Sequence, residues 1–105
     1  MISLALIEEA VRRLQNAAPQ ATIILFGSHA RGDAQEDSDL DILVVEPVVT
    51  ARRREMVRLS DALRPLHFPV DVLVTSRKTF QEWSHVAGTV LHKAATEGKV
   101  LYEGR

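Results

Sequence analysis

The sequence contains no cysteine, so disulfides and thiolate metal sites are unavailable to it, a lack that fits an intracellular home. It has no dominant charge either. Its 13 basic side chains face 14 acidic ones, for a net charge of −1, and strong non-specific adhesion to nucleic acid is not favoured. Long apolar runs are missing too. The opening MISLALI is interrupted by Glu8 and Glu9 well short of the ~20 residues of a membrane span, and no basic segment precedes it as in a secretion signal. A soluble, cytoplasmic protein with no membrane partner is the expectation. No repeat, low-complexity tract or linker divides the chain. With 105 residues, a single domain over 1–105 is expected, able to bury one core and too short for a second substrate-binding domain.

What is present alternates. Leu4, Ile7, Val11 and Leu14 fall at steps of three and four, one apolar stripe of a helix that ends at Pro19, with Glu8–Arg12 and Glu9–Arg13 as i,i+4 pairs. Thr22 to Phe26 (TIILF) is a short buried strand stopped by Gly27. After a loop or short helix, Leu40 to Val45 makes a second strand closed by Pro47. Ala51 to Leu66 reads as a helix with Met56, Leu59, Leu63 and Leu66 inward and Arg52, Arg53, Arg54 and Arg58 mostly outward. Val70 to Val74 is a third strand, and Phe80, Trp83, Ala87, Val90, Leu91 and Ala94 outline one last helix despite Gly88, with Gly98 as its stop. KVLYE adds a terminal strand. This order predicts an α/β fold: a small mixed β-sheet flanked by helices.

The acidic residues break that pattern. Asp39 and Asp41 lie two apart at the start of an apolar strand, on one face and ~6.6–7 Å apart along the backbone. Asp71 interrupts the core strand PVDVLV. Strands pair at ~4.8 Å, so if the second and third are neighbours all three carboxylates meet. Unpaired charges beside apolar side chains are costly, and a divalent cation offsets them most simply; hard oxygen donors suit Mg²⁺ or Mn²⁺, and three carboxylates suffice for two ions ~3.5–4 Å apart. An edge strand facing water or a plain Asp-rich turn is the structural alternative.

Gly27-Ser28 sits between the first strand and a potential helix start, where free N–H groups attract phosphate oxygens. Arg31 is placed either to neutralise charge there or to pair with Asp33 or Asp37. Gly27 and Gly32 have Walker A spacing, but Asp33-Ala34 replaces its Lys and Ser/Thr; an EF-hand from Asp37 fails because Ile42 and Val48 occupy its glycine and glutamate positions.

Gly27-Ser28, Ala30-Arg31-Gly32 and Ser38-Asp39-Leu40-Asp41 together resemble the signature of the DNA polymerase β nucleotidyltransferase superfamily, closest to its minimal, MNT-type members; Asp71 matches the later third acid and EGKVLYE the usual ending of these small proteins. The resemblance implies a polymerase β-like fold and a Mg²⁺-dependent transfer of a nucleoside monophosphate, AMP from ATP, to an acceptor hydroxyl. It implies that Asp39, Asp41 and Asp71 are catalytic and hold the metals, with Gly27, Ser28 and Arg31 on the nucleotide. It also implies a HEPN-type toxin as partner, silenced by adenylylation of a tyrosine. A homo-oligomer is allowed.

Other residues carry less. His29, His67, His85 and His92 lack zinc spacing, Phe80 and Trp83 read as core, and Arg52-Arg53-Arg54 as a solvated face. Two other classes compete: a non-catalytic module of the same fold that neutralises a toxin by complex formation, and a glycosyltransferase with an Asp-x-Asp site, which the Gly-Ser turn and small size disfavour.

Overall fold

The computed structural model describes residues 3–104. Helix α1 (Leu4–Ala17) opens where the Ser3 hydroxyl accepts the Leu6 N–H at 3.2 Å, an N-cap that satisfies one free amide. Its apolar stripe is fully buried at Ala10 and Leu14. The stripe is shorter than periodicity implies, since Leu4 is 70 % exposed. Glu9 alone pairs with both Arg12 and Arg13, in place of the expected Glu8–Arg12 partnership.

Strands β1 (Thr22–Phe26), β2 (Leu40–Glu46), β3 (Val70–Ser76) and β4 (Lys99–Glu103) form one sheet in the order β3-β2-β1-β4. β1 pairs antiparallel with β2 and β4, whereas β2 and β3 run parallel. The sheet is therefore mixed, as the alternation of elements implies. The parallel pair needs a crossover, supplied by α3 (Arg52–Leu63).

β2 is continuously apolar from Ile42 to Val45 because both faces are covered. On one face Ile23, Ile42, Val44 and Val74 pack with Leu14 of α1 and Leu59 of α3. On the other, Ile24, Phe26, Leu43 and Val45 pack with Phe80 of α4 (Arg77–Trp83) and Leu91 and Ala94 of α5 (Val90–Glu97). Side-chain alternation puts Asp41 and Asp71 on this second face, with Leu43 and Leu73.

Four expectations need correction. The last helix is two: α4 stops at Trp83 and α5 begins at Val90, with Gly88 at φ +88° between them, a conformation that turns the chain rather than continuing a helix. The third helix ends at Leu63 and tightens into a 3₁₀ turn over Arg64–Leu66, since Pro65 lacks the N–H to continue it. Trp83 is 49 % exposed and not core. Arg52 is exposed, as expected of an outward residue, but it is not simply solvated; its Nε donates to the Val74 carbonyl at 2.8 Å. No described helix is long and apolar enough to cross a membrane.

At the far end of β2, Glu46 lies against Glu55 of α3, and its Oε2 is buried without a hydrogen-bond partner. Burial first, then Glu55, pushes the Glu46 carboxyl up to about 7. Glu55 is held at about 2, chiefly by Arg58, which grips it through Nε at 2.8 Å and Nη2 at 2.6 Å while Nη1 donates to the Ala17 carbonyl. A carboxyl raised above its ordinary 4.5 contributes stability that is full below that value and lost as pH climbs through about 7. Glu55 has the opposite sign and matters only toward pH 2, so near neutrality Glu46 sets the slope. Glu46→Gln keeps the shape and a donor but cannot ionise. Allowing for water screening of this partly exposed group, it should stabilise the fold by about 1 kcal/mol at pH 8, or about 4–8 °C, and by nothing at pH 5. Melting curves from pH 5 to 8 check this.

Candidate active site

Three strand ends meet at one corner of the sheet. β1 finishes at Phe26, which lies opposite Asp41 in the antiparallel register, and Asp41 lies opposite Asp71 in the parallel one. Leu40 donates its N–H to the Pro69 carbonyl at 3.0 Å, so β2 and β3 start level. The apolar run of β2 holds Asp41 in place. Asp39 stands one residue before the strand and is exposed, as is Asp71, whereas Asp41 is half-buried.

Gly27 explains how the carboxylate fits there. Its backbone has φ 74° and ψ −157°, a region essentially reserved for glycine. A Cβ at this position would stand 2.2 Å from Oδ2 of Asp41. The Asp41 carboxylate therefore rests on bare backbone at the turn between β1 and the short helix α2 (Ser28–Arg31). Ser28 is half-buried at the start of α2, and Gly32, left-handed at φ 86°, closes it.

His29 has a fixed place that its sequence context does not reveal. Its Nε2 lies 3.2 Å from the Ser38 carbonyl oxygen, and its ring meets Phe68 edge-on at 6.5 Å. The first contact holds α2 against the loop that leads into Asp39, and the second sets it against the segment that leads into β3. Arg31 takes the ion-pair option, with Nε 3.2 Å from Asp33 and Nη1 3.0 Å from Glu97 of α5. Glu97 foremost, then Asp33, holds its guanidinium above the ordinary range. Arg31 thus ties α2 to α5.

The site carries excess negative charge. Burial first, then Asp71 and Asp39, raises the Asp41 pKa above its ordinary 3.8; Lys93 and His29 oppose this more weakly. Among the described residues, no three acidic or histidine side chains close round one point as a preformed cage. The donor chemistry nevertheless fits a hard divalent cation: oxygen ligands, mutual repulsion at Asp41, and two exposed partners whose side chains can turn inward. Asp39, Asp41 and Asp71 are the residues that could hold one. Lys93 of α5 is the charged neighbour that sequence reasoning missed, because a lone lysine on a helix carries no signal until the helix is placed.

Known proteins resemble this chain in sequence and fold. The profile of a family described as nucleotidyltransferase domain matches residues 4–101. A protein of Methanocaldococcus jannaschii named as a protein adenylyltransferase is 47 % identical over 47 residues, a match that covers 39 % of this chain and 47 % of the relative, so the chain spans about half the length of that curated relative. Among solved structures, a Sulfolobus solfataricus nucleotidyltransferase superposes with a TM-score of 0.67 at 22 % identity, covering 95 % of this chain and 79 % of the other. A toxin–antitoxin structure with AMP-PNP gives 0.58 at 26 % identity, over 93 % and 73 %. The complex of an MNT antitoxin with the tri-AMPylated HEPN toxin of Shewanella oneidensis gives 0.54 at 24 %, over 94 % and 71 %. Because the matching profile runs from α1 into β4, and not over the acidic motif alone, this chain belongs to the nucleotidyltransferase domain family.

Proposed function

We propose that residues 1–105 act as a single nucleotidyltransferase domain that moves AMP from ATP to a tyrosine hydroxyl of a HEPN-type toxin, releasing pyrophosphate and silencing the toxin. The observation that carries this reading is the seat of Asp41: a half-buried carboxylate pressed on the Gly27 backbone and repelled by Asp71 and Asp39. A fold gains nothing from that arrangement. A cation and a polyphosphate bound there would relieve it. The choice of adenylyl group and toxin rests on the similar proteins, whose names record an adenylyltransferase, AMP-PNP and an AMPylated HEPN toxin.

Asp39, Asp41 and Asp71 are the residues that would hold Mg²⁺ beside the triphosphate. When bound, the metal supplies charge neutralisation on the phosphate oxygens. Gly27 permits close approach of the phosphates to backbone, Ser28 donates its hydroxyl, and Arg31, already paired, contributes positive field from the side. Asp71 is placed to orient the acceptor hydroxyl and take its proton. The tyrosine oxygen attacks the α-phosphorus, the bond from that phosphorus to the bridging oxygen breaks, and pyrophosphate departs. Catalysis of this kind is mostly positioning and electrostatics, which suits a site of few residues.

One observation favours a second reading. The three carboxylates do not close round a common point among the described residues, as they need not in a protein that neutralises its partner by binding alone. Co-expression of the toxin with the Asp39→Asn/Asp41→Asn variant separates the two. Transfer predicts that toxicity returns although the complex still forms; neutralisation by binding predicts that protection persists.

A further inference from the structure

Helix α5 brings a cation to the acidic corner. Leu91 and Ala94 dock it on Ile24, Phe26 and Leu43, and Phe26 is the register neighbour of Asp41. Glu97, one turn after Lys93, bonds Arg31 at 3.0 Å, which fixes this flank of α5 against the C-terminal end of α2, the short helix that begins at the Gly27-Ser28 turn. Lys93 is exposed and makes no ion pair among the described residues. Its charge is felt at Asp41, where it lowers the pKa against three sources of increase. Lys93 is thus an ammonium without an ion-pair partner among the described residues, on the helix packed against the strands that lead to the carboxylates.

We propose that Lys93 is a nucleotide-binding residue whose ammonium engages the β- and γ-phosphates, across the site from Asp41, so that α5 closes the polyphosphate between itself and the glycine–serine turn. This rests on the transfer reading given above. An ammonium on a four-carbon stem suits this task, since it follows a polyphosphate as a point charge rather than demanding planar geometry. A charge-assisted hydrogen bond of this type corresponds to roughly 10- to 100-fold in affinity.

The test compares equilibrium binding of ATP and of AMP, in Mg²⁺, to wild type, Lys93→Gln, Lys93→Arg and Lys78→Gln, the last removing an exposed lysine of α4. Lys93→Gln should weaken ATP at least tenfold and leave AMP within about threefold, while Lys93→Arg recovers most of the loss and Lys78→Gln changes neither. In the transfer assay the same variant should raise KM for ATP far more than it lowers kcat. ATP binding within twofold of wild type, or an equal loss for ATP and AMP, overturns the inference while wild-type transfer still stands. A wild type that binds no nucleotide overturns both.

Discussion

Asp41→Asn should cut nucleotidyl transfer by about a hundred- to a thousandfold and raise the melting temperature at the same time. On the proposed transfer reading, the activity loss follows because Asp41, the least exposed of the three carboxylates, would help to hold the metal; removing a single preorganised electrostatic group typically costs 10²–10³. The stability gain follows from the source of the raised pKa: the folded chain bears the cost of burying a charge beside Asp71 and Asp39. A group shifted this way contributes stability that is present below about 3.8 and lost as pH rises through the folded value. Asparagine keeps the shape without the charge. Discounted for the water that reaches this half-exposed group, the gain is about 1 kcal/mol, or about 4–8 °C, without divalent metal. Adding Mg²⁺ should then stabilise wild type and not the variant, because only the form that binds the ion profits from it. Melting curves with and without Mg²⁺, beside a transfer assay, read all three outcomes. A variant that melts lower than wild type would contradict the strained-carboxylate account.

Gly27→Ala should lose both fold stability and activity. Two costs coincide there. At φ 74° and ψ −157° an alanine is strained by about 1–3 kcal/mol, and its Cβ would overlap Oδ2 of Asp41, which must swing away. We expect the melting temperature to fall by roughly 10–20 °C and transfer by about a hundredfold or more, since ~1 Å of misplacement at a reacting centre has that effect. Gly32→Ala separates the two costs. Gly32 is also left-handed, at φ 86°, but nothing lies within 4 Å of its added Cβ. It should lower stability and leave transfer largely intact. Equal activity losses in the two variants would mean that backbone strain, and not the seat of Asp41, sets the effect.

Local signals were readable in the sequence, and long-range ones were not. TIILF is a strand over Thr22–Phe26 in the structure as in the pattern, because a β-branched run bounded by Gly27 has no competing local solution. Asp71 stood out for the same reason, as a charge inside an apolar strand; its pairing with Asp41 depends on the strand order, which no local pattern encodes. The apolar spacing from Phe80 to Ala94 hid a break, since Gly88 uses a conformation that periodicity cannot sense. Leu4 and Trp83 match the stripes yet remain exposed, because a stripe marks only the side on which covering is available. The Glu97 partner of Arg31, the contact of the His29 ring with Phe68 and the pair Glu46–Glu55 each join separate elements, so only the assembled fold brings them into view.

The most direct measurement is transfer itself. The chain is incubated with Mg²⁺, ATP labelled on the α-phosphate and a HEPN-type toxin, and Asp39→Asn/Asp41→Asn serves as the control. Label that appears on a tyrosine of the partner, requires Mg²⁺ and vanishes with the double variant is the result this account predicts. A tight complex that carries no label, with the partner silenced equally by wild type and the double variant, would contradict it.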